Sequence, residues 1–368
     1  MPSRFVASLL SLVALWACSS NAPTSSPGGA GGGGAGIVGA TSGAGGVSAG
    51  GGEVASAGSG AGTPPIAIGG SGGSAGSAGT GGAAGAAGSG GNGGQQSGLE
   101  LRVTSSNIRY GTAADGINVW DERKALLIEV LKAQTFDSAG LQEALAFQLD
   151  ELDEALPDYD RVGVGRDDGV AQGEFSAILY LKDRYEAVAS GTFWLSDTPE
   201  EPGSMTWGNT LPRICSWARL KHIASGRHYY HFNAHLDHLS QPSREKSVAL
   251  IATRIAARPQ PGEPVVLTGD FNAEPDNLAI EYLLGTSPID AMQTPATLVD
   301  AWLSLHEDDA NSTTYHAWNG GMTGGTHIDY VMFGSGVSAK SSEIVFTHDG
   351  DVYPSDHYPV SAVLELAP

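Results

Sequence analysis

Near three quarters of the way along the chain, Pro264-Val265-Val266-Leu267-Thr268 runs straight into Gly269-Asp270-Phe271-Asn272. A short apolar run rich in β-branched residues predicts a buried strand, and Gly-Asp-x-Asn marks its C-terminal end. Side chains alternate along a strand, so Asp270 and Asn272 share one face and Phe271 turns to the other, into packing. A carboxylate and an amide held together at a strand end can orient a water, hold a phosphate or help ligate a hard cation. Alone, the same pattern also describes an Asx turn closing a strand.

Other polar clusters also end apolar runs: Ser106-Asn107-Ile108-Arg109-Tyr110, Leu141-Gln142-Glu143, Phe232-Asn233-Ala234-His235-Leu236-Asp237-His238, and Ser355-Asp356-His357-Tyr358-Pro359. Ile328-Asp329-Tyr330 is a weaker member. Together they supply carboxylates for a cation, amides and imidazoles for a phosphate, and a His–Asp pair for proton transfer. Each cluster has an ordinary structural explanation as a cap or turn; the ordered set is far more specific than any member.

In that order the clusters resemble the endonuclease/exonuclease/phosphatase superfamily over essentially all of Leu99 to Pro368. The resemblance implies a four-layer α/β sandwich, two mixed β-sheets face to face with helices outside. It also implies a metal-dependent phosphoester hydrolase, a phosphodiesterase or nuclease or a phosphatase, working with Mg²⁺ (or Mn²⁺/Ca²⁺) by in-line water attack. Carried over by position, Asn107 and Glu143 hold the cation, with Asp356 completing that shell or a second site. His235, Asp270, Asn272, Asp329 and His357 form the catalytic set, and Glu174 orients His235. Arg109 stands where some members carry a second carboxylate. Arg109, Arg213 and Asn233 are expected to bind substrate. The rival reading is a tethered phosphate-ligand binding protein that kept the scaffold and lost turnover.

The elements that must position these residues alternate along the chain. Strands are predicted at 99–107, 138–143, 175–180, 184–193, 265–269, 327–333 and 360–366, with a hairpin over 214–222 and 229–233. Helices are predicted over 122–132, 147–156, stopped by Pro157, and 243–257. Many strands, few helices and long polar loops point to stacked sheets with helices outside.

The chain has 368 residues, a net charge of −21 and two cysteines, Cys18 and Cys215. An acidic surface disfavours sequence-independent capture of nucleic acid, which depends on Lys and Arg at phosphates, and it suits divalent cations. A polyanionic substrate would need a metal and a few local arginines. With Cys215 alone in the folded part, an internal disulfide is excluded.

The N-terminus has a different character. Arg4 followed by an apolar run to Leu15 predicts a signal peptide over 1–18. Leu15-Trp16-Ala17-Cys18 resembles a lipobox, which would lipidate Cys18; a plain signal peptide is the alternative. Residues 19–97 are almost wholly Gly, Ala, Ser, Thr and Pro, with Glu53 the sole ionisable side chain. Such a segment buries too little apolar surface to fold, and predicts a tether spanning on the order of 50 Å. The folded domain then occupies 98–368. Export to the outer membrane or cell surface, with lipid contact only through the anchor, and a monomeric state are the corresponding expectations; simple secretion is the alternative.

Overall fold

The computed structural model describes residues 98–306 and 311–368. The leader expected over 1–18, with Cys18, and the tether over 19–97 lie outside the described residues. Among the described residues no helix is long and apolar enough to cross a membrane.

In chain order the elements are β1 (Leu99–Asn107), α1 (Trp120–Gln134), β2 (Ser138–Ala144), α2 (Ala146–Ala155), β3 (Tyr159–Val162), β4 (Phe175–Leu181), β5 (Tyr185–Trp194), β6 (Ile214–His222), β7 (His228–His235) and α3 (Gln241–Ala256). They continue with β8 (Val265–Asp270), α4 (Leu278–Leu284), β9 (Val299–Asp300), β10 (Asp329–Phe333), β11 (Val337–Ile344) and β12 (Val360–Leu366). The strands form two six-stranded sheets, ordered β11-β12-β1-β2-β4-β3 and β5-β6-β7-β8-β10-β9.

Each sheet contains one parallel pair, β1 with β2 and β7 with β8, and antiparallel neighbours elsewhere. A parallel pair needs a crossover, which α1 and α3 provide. Parallel pairing brings the C-terminal ends of β1 and β2 together, and those of β7 and β8, and the 2.9 Å bond from Asn107 to Asp270 joins the two sets at one rim. That is the rim where the polar clusters fall.

Apolar periodicity explains the layers. Leu127, Leu131, Leu149 and Leu152 of α1 and α2 pack on Ala139, Leu141, Ala177 and Leu179 of the first sheet. Val248, Ile251, Ile280 and Leu283 of α3 and α4 pack on Phe232, Val265 and Leu267 of the second. Between the sheets lie Leu101, Val103, Ile178, Leu220, Val266, Val331 and Leu364. The expected four-layer α/β sandwich is the fold.

Strand β8 shows how alternation separates packing from chemistry. Val265 and Leu267 face the helices and Val266 faces the other sheet. Thr268 continues that inner face, bonding Asn233 Oδ1 (3.0 Å), and Asp270 ends it. Phe271, fully buried, stacks on Tyr330 at 5.3 Å, as its place in the alternation predicts.

The space between the sheets changes from apolar to polar towards the functional rim. His231 bridges Ser138 Oγ (3.0 Å) and Thr268 Oγ1 (2.9 Å), and Gln142 Nε2 donates to Asn233 Oδ1 (2.7 Å). Buried polar side chains are stable only when paired, and these pair across the gap, locking the register of one sheet on the other. The sheets approach so closely here that a Cβ on Gly140 would lie 2.0 Å from Thr268 Oγ1.

Several elements differ from expectation. The short strands β3 and β9, the late strand β11 and helix α4 carry patterns too weak to mark them in the sequence. Strand β10 starts at Asp329, not His327, although the Ile328 carbonyl still accepts the Phe271 backbone N–H at 2.8 Å.

Candidate active site

The loop after β1 and the loop before β12 are joined by one side chain. Arg123 of α1 is completely buried and donates to the carbonyls of Ile108 (2.8 Å), Arg109 (2.8 Å), Asn118 (2.9 Å) and Pro354 (2.8 Å). Ser355 Oγ adds a bond to the Asn107 carbonyl (2.7 Å). These bonds set Asn107 and Arg109 beside Asp356 and His357, some 250 residues later in the chain.

Backbone geometry aims the side chains. Arg109, Glu143 and Asn272 all adopt the left-handed region, with φ of 55°, 59° and 47°. For residues with a Cβ this costs about 1–3 kcal/mol each, and such strain persists where surrounding contacts fix it. At Glu143 the register with β4 also shifts between Leu141 and Ala144, a bulge that turns the carboxylate into the site.

Asn107 is the hub. Its Nδ2 donates to Glu143 Oε1 (3.0 Å) and Asp270 Oδ2 (2.9 Å) and lies 3.4 Å from His357 Nε2. Its Oδ1 accepts the Arg109 backbone N–H (2.9 Å). Expected as a cation ligand, Asn107 here turns its amide nitrogen to the two carboxylates while its oxygen is engaged by the backbone.

His357 and Asp329 form the predicted pair, with Nδ1 to Oδ2 at 2.8 Å. Burial works against the imidazolium, but the charge and hydrogen bond of Asp329 outweigh it and hold His357 up to about 10. Asp270 lies opposite Asp329 in the ladder and 3.8 Å from His357 Nε2. Burial, reinforced by the Asp329 charge, pushes the Asp270 carboxyl up to about 7. Glu143 goes the other way: burial raises it, yet Arg109 and the Asn107 bond together hold it below the usual carboxylate range.

His235 stands at the end of β7. Asn272 Nδ2 donates to the Leu236 carbonyl (3.1 Å) and lies 3.1 Å from His235 Nε2, so Nε2 is the acceptor and the ring proton sits on Nδ1. That nitrogen faces Glu174 Oε2 at 3.7 Å, beyond hydrogen-bond range. Glu174 is instead bound to Arg166 Nη1 at 2.6 Å and faces the imidazole without bonding it.

The three expected substrate contacts fare differently. Asn233 does not reach the site: it is fully buried, its Nδ2 donating to the carbonyls of Leu141 and Ala177 (2.9 Å each) and its Oδ1 filled by Gln142 and Thr268. It shares a face with His235 but sits one pleat deeper, between the sheets. Arg109 is held by Asp115 through Nε and Nη2, both at 3.0 Å. It lies 4.0 Å from Glu143 and 3.8 Å from Asp356, a fixed positive charge beside two carboxylates. Arg213 lies beside His235 and, with Arg166 and Glu174, lines a tight crevice next to it. Nothing in the local sequence marks Arg123 or Arg166 as part of the site.

A hard cation fits this residue set. Ligand atoms of Glu143, His235 and Asp270 lie within 4.8 Å of one another, as do those of Asp270, Asp329 and His357. Asp356 is buried, and burial together with the Glu143 charge raises its carboxyl. Carboxylates crowded out of water repel one another, and an oxygen-seeking cation removes that repulsion. Glu143 and Asp270 would hold it, with Asp356 close by.

The family model described as Endonuclease/Exonuclease/phosphatase family matches residues 104–357, from β1 to His357. The chain belongs to this family. Its fold is similar to an endonuclease/exonuclease/phosphatase from Bacteroides vulgatus, with 33% identity, a TM-score of 0.66, and coverage of 73% of this chain and 99% of that one. It is similar at 32% identity to a mannosyl-6-phosphatase of Bacteroides thetaiotaomicron, with a TM-score of 0.64 and coverage of 72% and 99%. An uncharacterized protein of Acanthamoeba polyphaga mimivirus is 26% identical over 277 residues, 72% of this chain and all of the viral protein. Family membership makes the protein a phosphoesterase of this fold.

Proposed function

We propose that this family member is a divalent-cation-dependent phosphoester hydrolase in which water attacks phosphorus directly, and that its substrates are small phosphate esters such as sugar phosphates. The observation that carries the reading is the convergence of Asp270, His357 and Glu143 on one Asn107 amide.

Asp270 would hold the attacking water and take its proton. The His357 imidazolium, fixed by Asp329, would donate to a phosphoryl oxygen as negative charge develops there. Asn107 keeps these groups in register, and the Asn272 amide with His235 borders the phosphoryl position from β7 and β8. When bound, a cation such as Mg²⁺ supplies Lewis-acid stabilisation of charge on phosphorus-bound oxygens. Cys215 offers no alternative nucleophile, being buried in the helix-facing core with its thiol raised by burial.

The net charge of −21 favours small substrates over long polyanions. The likeness to a mannosyl-6-phosphatase supports sugar phosphates in particular. The test is hydrolysis of a panel of sugar phosphates, nucleotides, DNA, RNA and sphingomyelin in ¹⁸O-labelled water with Mg²⁺. Inorganic phosphate released from a sugar phosphate should carry one solvent oxygen, and the freed sugar none. Binding without turnover would support the rival ligand-binding reading, and unlabelled phosphate would exclude attack at phosphorus.

A further inference from the structure

His235 has the catalytic carboxylates on one side and a second charged group on the other. Its Nε2 lies 3.4 Å from Asp270, while Nδ1 faces a tight crevice whose lining includes Arg166, Glu174, Ser176, Arg213 and His235 itself. Both guanidinium side chains are deeply buried, Arg213 at 3% and Arg166 at 7% exposure.

Their hydrogen bonding is incomplete. Glu174 accepts from Arg166 Nη1 at 2.6 Å, and Arg213 Nη2 lies 3.0 Å from His238 Nδ1. Arg213 Nε and Nη1, and Arg166 Nε, have no acceptor. Asp237 stays 3.8 Å from Arg213 Nε, too far to bond it, and its own Oδ2 is unpartnered. A buried cation lacking acceptors is costly, and the neighbouring charge of Arg166 adds to that cost. Two such groups opening on a cleft beside the reaction centre await an anion that brings acceptor oxygens.

We propose that Arg213, braced by Arg166 and Glu174, binds the third unesterified oxygen of a phosphate monoester, and that this contact makes the enzyme select monoesters over diesters. The inference rests on the phosphoester-hydrolase reading above and names its substrate class. A phosphoryl group at Asp270 turns one oxygen towards the Glu143 side and one towards His357; the third is left to face His235 and the cleft. In a monoester that oxygen is unesterified and accepts from Arg213. In a diester either it carries the second alcohol, which needs room the narrow cleft lacks, or it leaves the guanidinium unpaired.

The experiment compares kcat/KM for p-nitrophenyl phosphate and bis-p-nitrophenyl phosphate with Mg²⁺. Wild type should favour the monoester, and Arg213→Lys should lower monoester kcat/KM by roughly 10- to 100-fold while changing the diester value about threefold or less. Arg166→Gln should act in the same direction more weakly. Because either variant can unfold, wild type is also inhibited with inorganic phosphate and with dimethyl phosphate; phosphate should bind at least about 10-fold more tightly. Equal losses on both esters, or equal inhibition by both anions, overturns the selectivity proposal and leaves the hydrolase reading standing. Failure of wild type to cleave either ester removes both.

Discussion

Asp270→Asn is expected to lower kcat by roughly 10³-fold while leaving the fold intact. The substitution is nearly isosteric and keeps an oxygen that can accept from Asn107 Nδ2, now 2.9 Å from Asp270 Oδ2. It removes the group proposed to take the proton from water. It also removes one of two acidic groups facing each other across the β8–β10 ladder, where burial and the charge of Asp329 push Asp270 up to about 7. The variant should therefore unfold at the same temperature as wild type or a higher one, the usual relation between a strained catalytic group and stability. Steady-state kinetics on a sugar phosphate and thermal unfolding check both halves. Activity within about tenfold of wild type would show that Asp270 is not the base.

Glu143→Gln should cost at least as much at low Mg²⁺, with part of the loss recovered at high Mg²⁺. Glu143 is held below the usual carboxylate range, burial notwithstanding, by Arg109 and by the Asn107 bond, so it is charged at neutral pH. The amide keeps the shape and removes the negative charge that a hard cation requires. The expected signature is a rise of at least about tenfold in the Mg²⁺ concentration giving half-maximal rate, together with a kcat lower by roughly 10²- to 10³-fold. An unchanged Mg²⁺ requirement would place the cation elsewhere. The same variant leaves Arg109 with Asp115, whose two 3.0 Å bonds do not involve Glu143, so the loop after β1 should hold its position.

How much of this was legible in the sequence depends on how local each signal is. Strands β1, β8 and β12 follow from alternation or an unbroken apolar run, and α1 and α3 from helical spacing, because a strand or helix that faces a core must carry that period. The edge strands β3 and β11 carry no such pressure: β11 is largely exposed, Val337-Ser338-Ala339-Lys340-Ser341-Ser342, and reads as a loop.

The site residues were legible as types at strand ends, but their depth was not. Alternation places Asn233 on the same face as His235, yet nothing local says that Asn233 lies beneath the opposing sheet. The orientation of the Asn107 amide is settled by a backbone N–H two residues on, a bond that exists only once the left-handed turn at Arg109 has formed. Arg123 in a helix pattern reads as a surface charge; its burial follows from four carbonyls, one of them 231 residues away. Arg166, in Gly165-Arg166-Asp167-Asp168-Gly169, reads as a polar turn, and only the cleft beside His235 gives it a different meaning.

The polar layer beneath the site unites these observations. Ser138 and Gln142 of one sheet hydrogen-bond His231 and Asn233 of the other, with Thr268 tied to both of the latter, where most sandwiches place aliphatic side chains. Directional bonds fix the offset of one sheet on the other more tightly than apolar packing does, and Asn107 and Glu143 come from one sheet while His235, Asp270 and Asp329 come from the other. The catalytic distances therefore depend on this layer.

The central claim is that residues from both sheets meet around one cation that turnover requires. Its most direct test is hydrolysis of a sugar phosphate by wild-type protein stripped with EDTA, dialysed and titrated with Mg²⁺. The account predicts negligible rate in the stripped protein and full recovery along a single saturation curve. Full activity after stripping would contradict it.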